Sequence, residues 1–222
     1  MKSAVNSKPD RRAARSGAPP ARSSIYVAFI IPLSWGLGKV GATMKGVIFN
    51  LLEEAVVDQF GDATWDDLLD AAELEGAYTS LGSYPDSEIM ALVAAASEKL
   101  KLSPAAILRW FGKSAIPSLA IQYPAFFTAP GNVRNFLLSV NAIIHPEVRK
   151  LYSGAGCPHF QFEEMETGEL IIGYSSPRKM CALAEGFIVG AADHFGETLT
   201  VAHRDCMHDG SPECSLVVEW ES

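Results

Sequence analysis

The run YSSPR places a phenol, an alcohol and a guanidinium, Tyr174, Ser176 and Arg178, at alternate positions. Side chains two apart share one face of an extended chain. If the strand-like GELIIGY continues into this run, three hydrogen-bond donors converge. Two hydroxyls and a planar guanidinium fork suit a ligand carrying one or two carboxylates better than a single point anion. The plainer reading is a polar strand end followed by the first turn of a helix. A second group is Cys181, His203, Cys206 and Cys214, spaced C-x21-H-x2-C-x7-C. HRDCMHDGSPEC holds three soft or borderline ligands around a Gly/Pro turn, and the helix bearing Cys181 can supply a fourth, the makings of a closed tetrahedral zinc site. Buried free thiols are the alternative. His208 is a rival ligand to His203, and Cys157 is left over as a free thiol.

The third candidate is His145. It follows a helix-like run whose apolar positions Phe136, Leu137, Val140, Ile143 and Ile144 mark a buried stripe, and Pro146 is expected to end or distort that helix. A neutral imidazole there is a suitable axial ligand for haem iron, or else a helix-end histidine satisfied by a backbone carbonyl.

Other chemistries find no support. The sequence lacks GxxxxGK[ST], HExxH, GxSxG and a kinase catalytic loop, so nothing points to nucleotide hydrolysis, metalloproteolysis or acyl transfer. A binding domain is the leading class. Residues 1–43 carry seven Lys/Arg and one Asp, against eleven Lys/Arg and twenty-five Asp/Glu in the remainder. The acidic body argues against a nucleic-acid surface. The basic segment, with Arg11, Arg12, Arg15 and Arg22 before the apolar IYVAFIIPLSWGLG, has the make-up of a secretory or twin-arginine signal. It is too short and too interrupted to span a bilayer. GLGKVG (36–41) is a formal GxGxxG without a convincing strand before it, which leaves a nicotinamide oxidoreductase as the enzyme alternative. We expect 1–43 to be a disordered arm or an over-extended start, with the folded domain at 44–222.

The elements that must position these groups fall in two stretches. Amphipathic helices are expected over 44–61, TWDDLLDAAEL, a segment starting near Asp86, a segment capped by Ser103 with Pro104 in its first turn, and 132–145. Alternation then takes over in PHFQFEEME, GELIIGY, TLTVAHRD and CSLVVEWES, with one long helix at SPRKMCALAEGFIVGAADHFG between the second and third. The class is α+β: an N-terminal helical part, then a small antiparallel sheet with an inserted helix.

From Met44 onward the chain resembles the haem nitric oxide/oxygen binding (H-NOX) family, the sensor domain also found in soluble guanylate cyclase. The likeness rests on MKGVIFNLLEE, NAIIHPEVRKLY and the Y-x-S-x-R pattern met by YSSPR. It implies that haem b lies between the helical part and the sheet, with His145 as proximal ligand and Tyr174, Ser176 and Arg178 gripping the propionates. It further implies that Pro158 presses on the porphyrin and that Ile48, Leu52, Leu119, Leu183 and Phe187 line its faces. Members that hold oxygen carry a distal tyrosine; the matching position here is Leu183, so the resemblance implies nitric oxide binding, although Tyr123 is another hydroxyl that could reach the gas. A subset of bacterial members carries structural zinc on a pattern like that of Cys181, His203, Cys206 and Cys214, whose oxidation would release the metal. The implied action is a switch: nitric oxide weakens the Fe–His145 bond and the two parts shift. A separate partner, a histidine kinase or a cyclic-di-GMP enzyme, reads that shift. Thiolate chemistry favours the cytoplasm. Two other readings are an oxygen-binding haem sensor and a haem-free zinc or small-molecule module, because CMHDGSPEC also resembles the tail of vinyl-reductase-type ligand-binding domains.

Overall fold

The computed structural model describes residues 42–221, and the readings of the basic segment and of GLGKVG lie outside them. Two short strands, β1 (Thr43–Lys45) and β2 (Ser83–Pro85), pair antiparallel and bracket the first helices. They are too short to show a period in the sequence. Helices α1 (Gly46–Phe60), α2 (Asp62–Ala72), α3 (Asp86–Leu100) and α4 (Pro104–Gln122) follow, then α5 (Pro124–Thr128) and α6 (Val133–Ser139). Ser103 caps α4 as its sequence implies, its hydroxyl accepting from the Ala106 amide, and Asn132 caps α6 in the same way from the Asn135 amide.

Pro146 does not end the helix that carries His145. The chain passes from α6 into a π-helical turn over Val140–Ile144 and then straight into α7 (His145–Leu151). A π turn relaxes the local i to i−4 ladder, so the missing proline amide is absorbed instead of breaking the helix. His145 therefore sits in mid-helix, at the end of a π segment, a geometry found often at functional sites.

The second half is a four-stranded antiparallel sheet of β3 (His159–Glu164), β4 (Leu170–Ser175), β5 (Leu199–Asp205) and β6 (Cys214–Trp220), in the order β3-β4-β6-β5. Helix α8 (Cys181–Phe195) is inserted between β4 and β5. The mixed helical and antiparallel architecture is the expected α+β class. Strict alternation in β4 and β6 buries Leu170, Ile172, Tyr174, Leu216 and Val218 on one face.

Helices α4 and α8 touch through their backbones. A Cβ built on Gly186 would lie 2.1 Å from the Arg109 carbonyl oxygen, and one on Gly112 would lie 2.4 Å from that of Leu183. Only hydrogen fits at either place. The seam brings Ile116 and Leu119 of α4 and Leu183 and Phe187 of α8 to one interior space. Gly186→Ala is expected to lower stability by about 1–3 kcal/mol, measured by chemical denaturation followed by circular dichroism.

Candidate haem and metal sites

A cavity of about 320 Å³ lies between the helical part and the sheet. That is within the ~300–1,000 Å³ usual for small-molecule and cofactor sites. Val47, Ile48 and Leu51 of α1, Leu119 of α4, Leu183 and Phe187 of α8 and Phe160 of β3 supply apolar wall, with Pro158 and Cys157 at the loop before β3. Leu52 is the exception among the expected wall residues. It is buried in the core that α1 shares with α2, α3 and α4, and Leu51 faces the cavity in its place. One residue along a helix turns a side chain about 100°, enough to exchange wall for core.

His145 enters this cavity from the π segment. Its ring stacks on Phe160 with centroids 5.7 Å apart, and Nδ1 is buried without a hydrogen-bond partner. Burial first, and the positive charge of Arg149 second, lower its pKa to about 4, so the ring is neutral at physiological pH. Asn141, within the π turn, donates to the Phe160 carbonyl at 2.6 Å and so fixes the segment to β3.

Tyr174, Ser176 and Arg178 all line the cavity, but not by continued extension of β4. The chain turns at Pro177–Arg178 and passes through a left-handed Lys179 (φ 52°). That turn delivers the guanidinium sideways. Its Nε donates to Asp86 Oδ2 at 2.8 Å, Nη1 to the Gly156 carbonyl at 2.7 Å and Nη2 to the Thr43 carbonyl at 2.5 Å. Five N–H groups less three leave two. The Tyr174 hydroxyl accepts from the Met180 amide and the Ser176 hydroxyl from the Arg178 amide, and the two side chains are also hydrogen-bonded to each other. Burial outweighs these accepted bonds, raises the Tyr174 pKa and keeps its proton in place.

Tyr123 also reaches the cavity, where its hydroxyl is hydrogen-bonded to that of Tyr152, seven residues beyond His145. No sequence period marks this pair, since its members come from the ends of two different helices.

Beyond the cavity, Cys181, His203, Cys206 and Cys214 place their ligand atoms within 4.8 Å of one another. Cys181 opens α8, Cys214 opens β6, and a register irregularity between His203 and Asp205 in β5 lets His203 and Cys206 approach the same point. Sulfur separations are 3.9 Å (Cys181–Cys206) and 3.8 Å (Cys206–Cys214). Thiolates held about 2.3 Å from one tetrahedral ion stand about 3.8 Å apart. Burial, then the neighbouring thiols, push Cys181 up to about 12, and Cys214 is raised as well, by burial first. His208 is held elsewhere: its Nε2 lies 2.7 Å from the Lys179 carbonyl.

A family model described as Haem-NO-binding matches residues 45–203. The chain belongs to the haem-NO-binding (H-NOX) family. Among solved structures, an H-NOX protein from Shewanella oneidensis in its Fe(II)NO ligation state is 32% identical, with a TM-score of 0.77 over 81% of this chain and 100% of that one. The unliganded Fe(II) H-NOX protein from K. algicida is 29% identical, with a TM-score of 0.72 over 81% of this chain and 97% of that one. The H-NOX domain is thus a haem-binding gas-sensor domain and not an enzyme. No helix among the described residues is long and apolar enough to cross a membrane.

The cavity's own residues fit haem. One edge presents the hydroxyls of Tyr174 and Ser176 and two N–H groups of Arg178 to an anionic group, the walls are apolar, and a neutral imidazole with an unpartnered nitrogen stands within. In the haem-free protein, a buried histidine of lowered pKa contributes stability that is fully present above the unfolded value of 6.5 and lost as pH falls toward about 4. Roughly 3 kcal/mol should disappear across that window. His145→Leu should flatten this part of the stability–pH curve, as read by urea denaturation at a series of pH values.

Proposed function

We propose that this chain is a nitric oxide sensor that excludes oxygen and signals through His145 to a separate protein. The observation that carries the reading is the pairing of a neutral His145, its Nδ1 unpartnered, with an apolar wall at Leu183 and Phe187. Haem, when bound, would supply a ferrous iron able to take a diatomic gas. His145 would ligate the iron, and Tyr174, Ser176 and Arg178 would hold the propionates. Leu183, Phe187 and Pro158 would supply apolar wall around the group.

Bound oxygen is polarised and needs a hydrogen-bond donor, whereas nitric oxide binds without one. Leu183 has no donor to give, and the hydroxyl of Tyr123 is hydrogen-bonded to that of Tyr152. This favours the nitric oxide reading over the oxygen one. His145 is carried by the π turn and α7, so a change in its hold on the bound group would move that segment. A gas acts here only through differential affinity for the two positions of that segment. The output goes to a partner, which the family likeness makes a histidine kinase or a cyclic-di-GMP enzyme. The sensor is the part from residue 44 onward, with residues 1–43 outside it.

We further read Cys181, His203, Cys206 and Cys214 as a structural zinc centre. The sulfur spacing supports it, and such a thiol set persists in a reducing compartment, which favours the cytoplasm. Metal analysis of the purified protein should return one zinc per chain, lost in Cys206→Ser.

The deciding measurement is the absorption spectrum of the reduced protein, taken anaerobically, in air and with nitric oxide. The expected result is a five-coordinate ferrous spectrum, unaltered by air and changed by nitric oxide, with haem uptake sharply reduced in His145→Ala. A spectrum that shifts stably in air would instead make this an oxygen binder; a colourless chain that takes up no added haem would restore the haem-free reading. Leu183→Tyr, which adds a hydroxyl to the wall, should give a stable oxygen complex in air that wild type does not form, read by the same absorption spectra.

A further inference from the structure

We propose that Glu185 positions His203 in the Cys/His cluster and, through Arg109, ties helix α4 to it. The inference rests on reading that cluster as a metal centre. Glu185 is a buried carboxylate, its side chain only 10% exposed, in the middle of α8. Arg109 of α4 grips it with both arms of its fork, Nε to Oε1 at 2.5 Å and Nη2 to Oε2 at 2.9 Å. The same Oε2 lies 3.6 Å from His203 Nδ1.

The α4–α8 seam itself has no need of an ion pair, because glycines already bring the two backbones into contact. Burying a carboxylate is costly unless its lone pairs are used. Arg109 uses some of them, and the oxygen it shares with His203 completes a chain of three groups. With Nδ1 turned toward a carboxylate, the imidazole carries its proton there and leaves the Nε2 lone pair for a metal. This matters for His203 in particular, because β5 is an edge strand with its register broken just beyond this residue. An imidazole on such a strand has several rotamers unless something selects one. Cys181, four residues before Glu185, lies on the same face of α8, so one helical turn delivers both a thiol and the carboxylate that orients the histidine.

The test uses the full-length protein loaded with zinc and follows metal release to a chromophoric chelator, with the haem absorption of each variant reporting the fold. Wild type should hold one zinc per chain. Glu185→Ala should release it about ten- to a hundredfold faster, and Glu185→Gln, which retains an acceptor, should fall between the two. Arg109→Gln, at a side chain 44% exposed, leaves Glu185 in place but unclamped and should speed release several-fold. Release at the wild-type rate in Glu185→Ala and Arg109→Gln would overturn the positioning role while leaving the metal centre intact. A wild-type protein that binds no zinc would overturn the metal reading, and this role with it.

Discussion

Arg178 sends three N–H groups to acceptors from three distant parts of the chain: the Asp86 carboxylate at the start of α3, the Gly156 carbonyl between α7 and β3, and the Thr43 carbonyl in β1. A guanidinium only 13% exposed is tolerable because three of its five donors have partners, one of them a carboxylate. Its surroundings are correspondingly committed. One oxygen of Asp86 is already buried without a partner, and removing Arg178 would strand the other. The pair therefore fixes how β1 and α3 meet the loop at the cavity's rim. Once that meeting is fixed, Tyr174 and Ser176 have fixed positions relative to the space that His145 enters.

The interior follows from how little polarity that space contains. Apolar side chains from α1, α4 and α8 close it on the helical side, and β3 and β4 close it on the other. His145 is the costly element, since a buried nitrogen without a partner is a loss relative to water. Losing the ring's charge reduces that loss, and stacking on Phe160 offsets part of it. The π turn and Asn141 hold the ring in place regardless. A side chain kept at such cost, with one nitrogen open, is pre-organised to take a ligand's electrophilic centre.

Much of this was legible because periodicity and caps are local. Ser103 before Pro104, the alternation of LIIGYS and CSLVVEW, and the spacing of the cluster each bear on residues a few positions apart. The departures share a cause, namely partners distant in sequence. Pro146 reads as ending or distorting its helix, and only the π turn before it decides for distortion. YSSPR reads as an extended clamp, but Asp86 and Thr43 draw Arg178 aside through a turn. Leu51 and Leu52 are both apolar on one helix, and only the packing of α2, α3 and α4 decides which of them meets the cavity. The β1–β2 pair is three residues a side, below the length at which alternation is visible.

Helix α8 shows how the two candidate centres come to share one scaffold. Cys181 and Glu185 are one turn apart, as are Leu183 and Phe187, and the two pairs fall on different faces. The first face meets the cluster and Arg109; the second meets the cavity. Gly186 and Gly190 lie between, pressed against the backbone of α4. A side chain larger than hydrogen at either glycine would push α8 from α4 and disturb both centres together. Within these ten residues, then, the ligand positions, the wall positions and the seam leave few sites free to vary. One helix thus joins the apolar cavity to the thiol cluster.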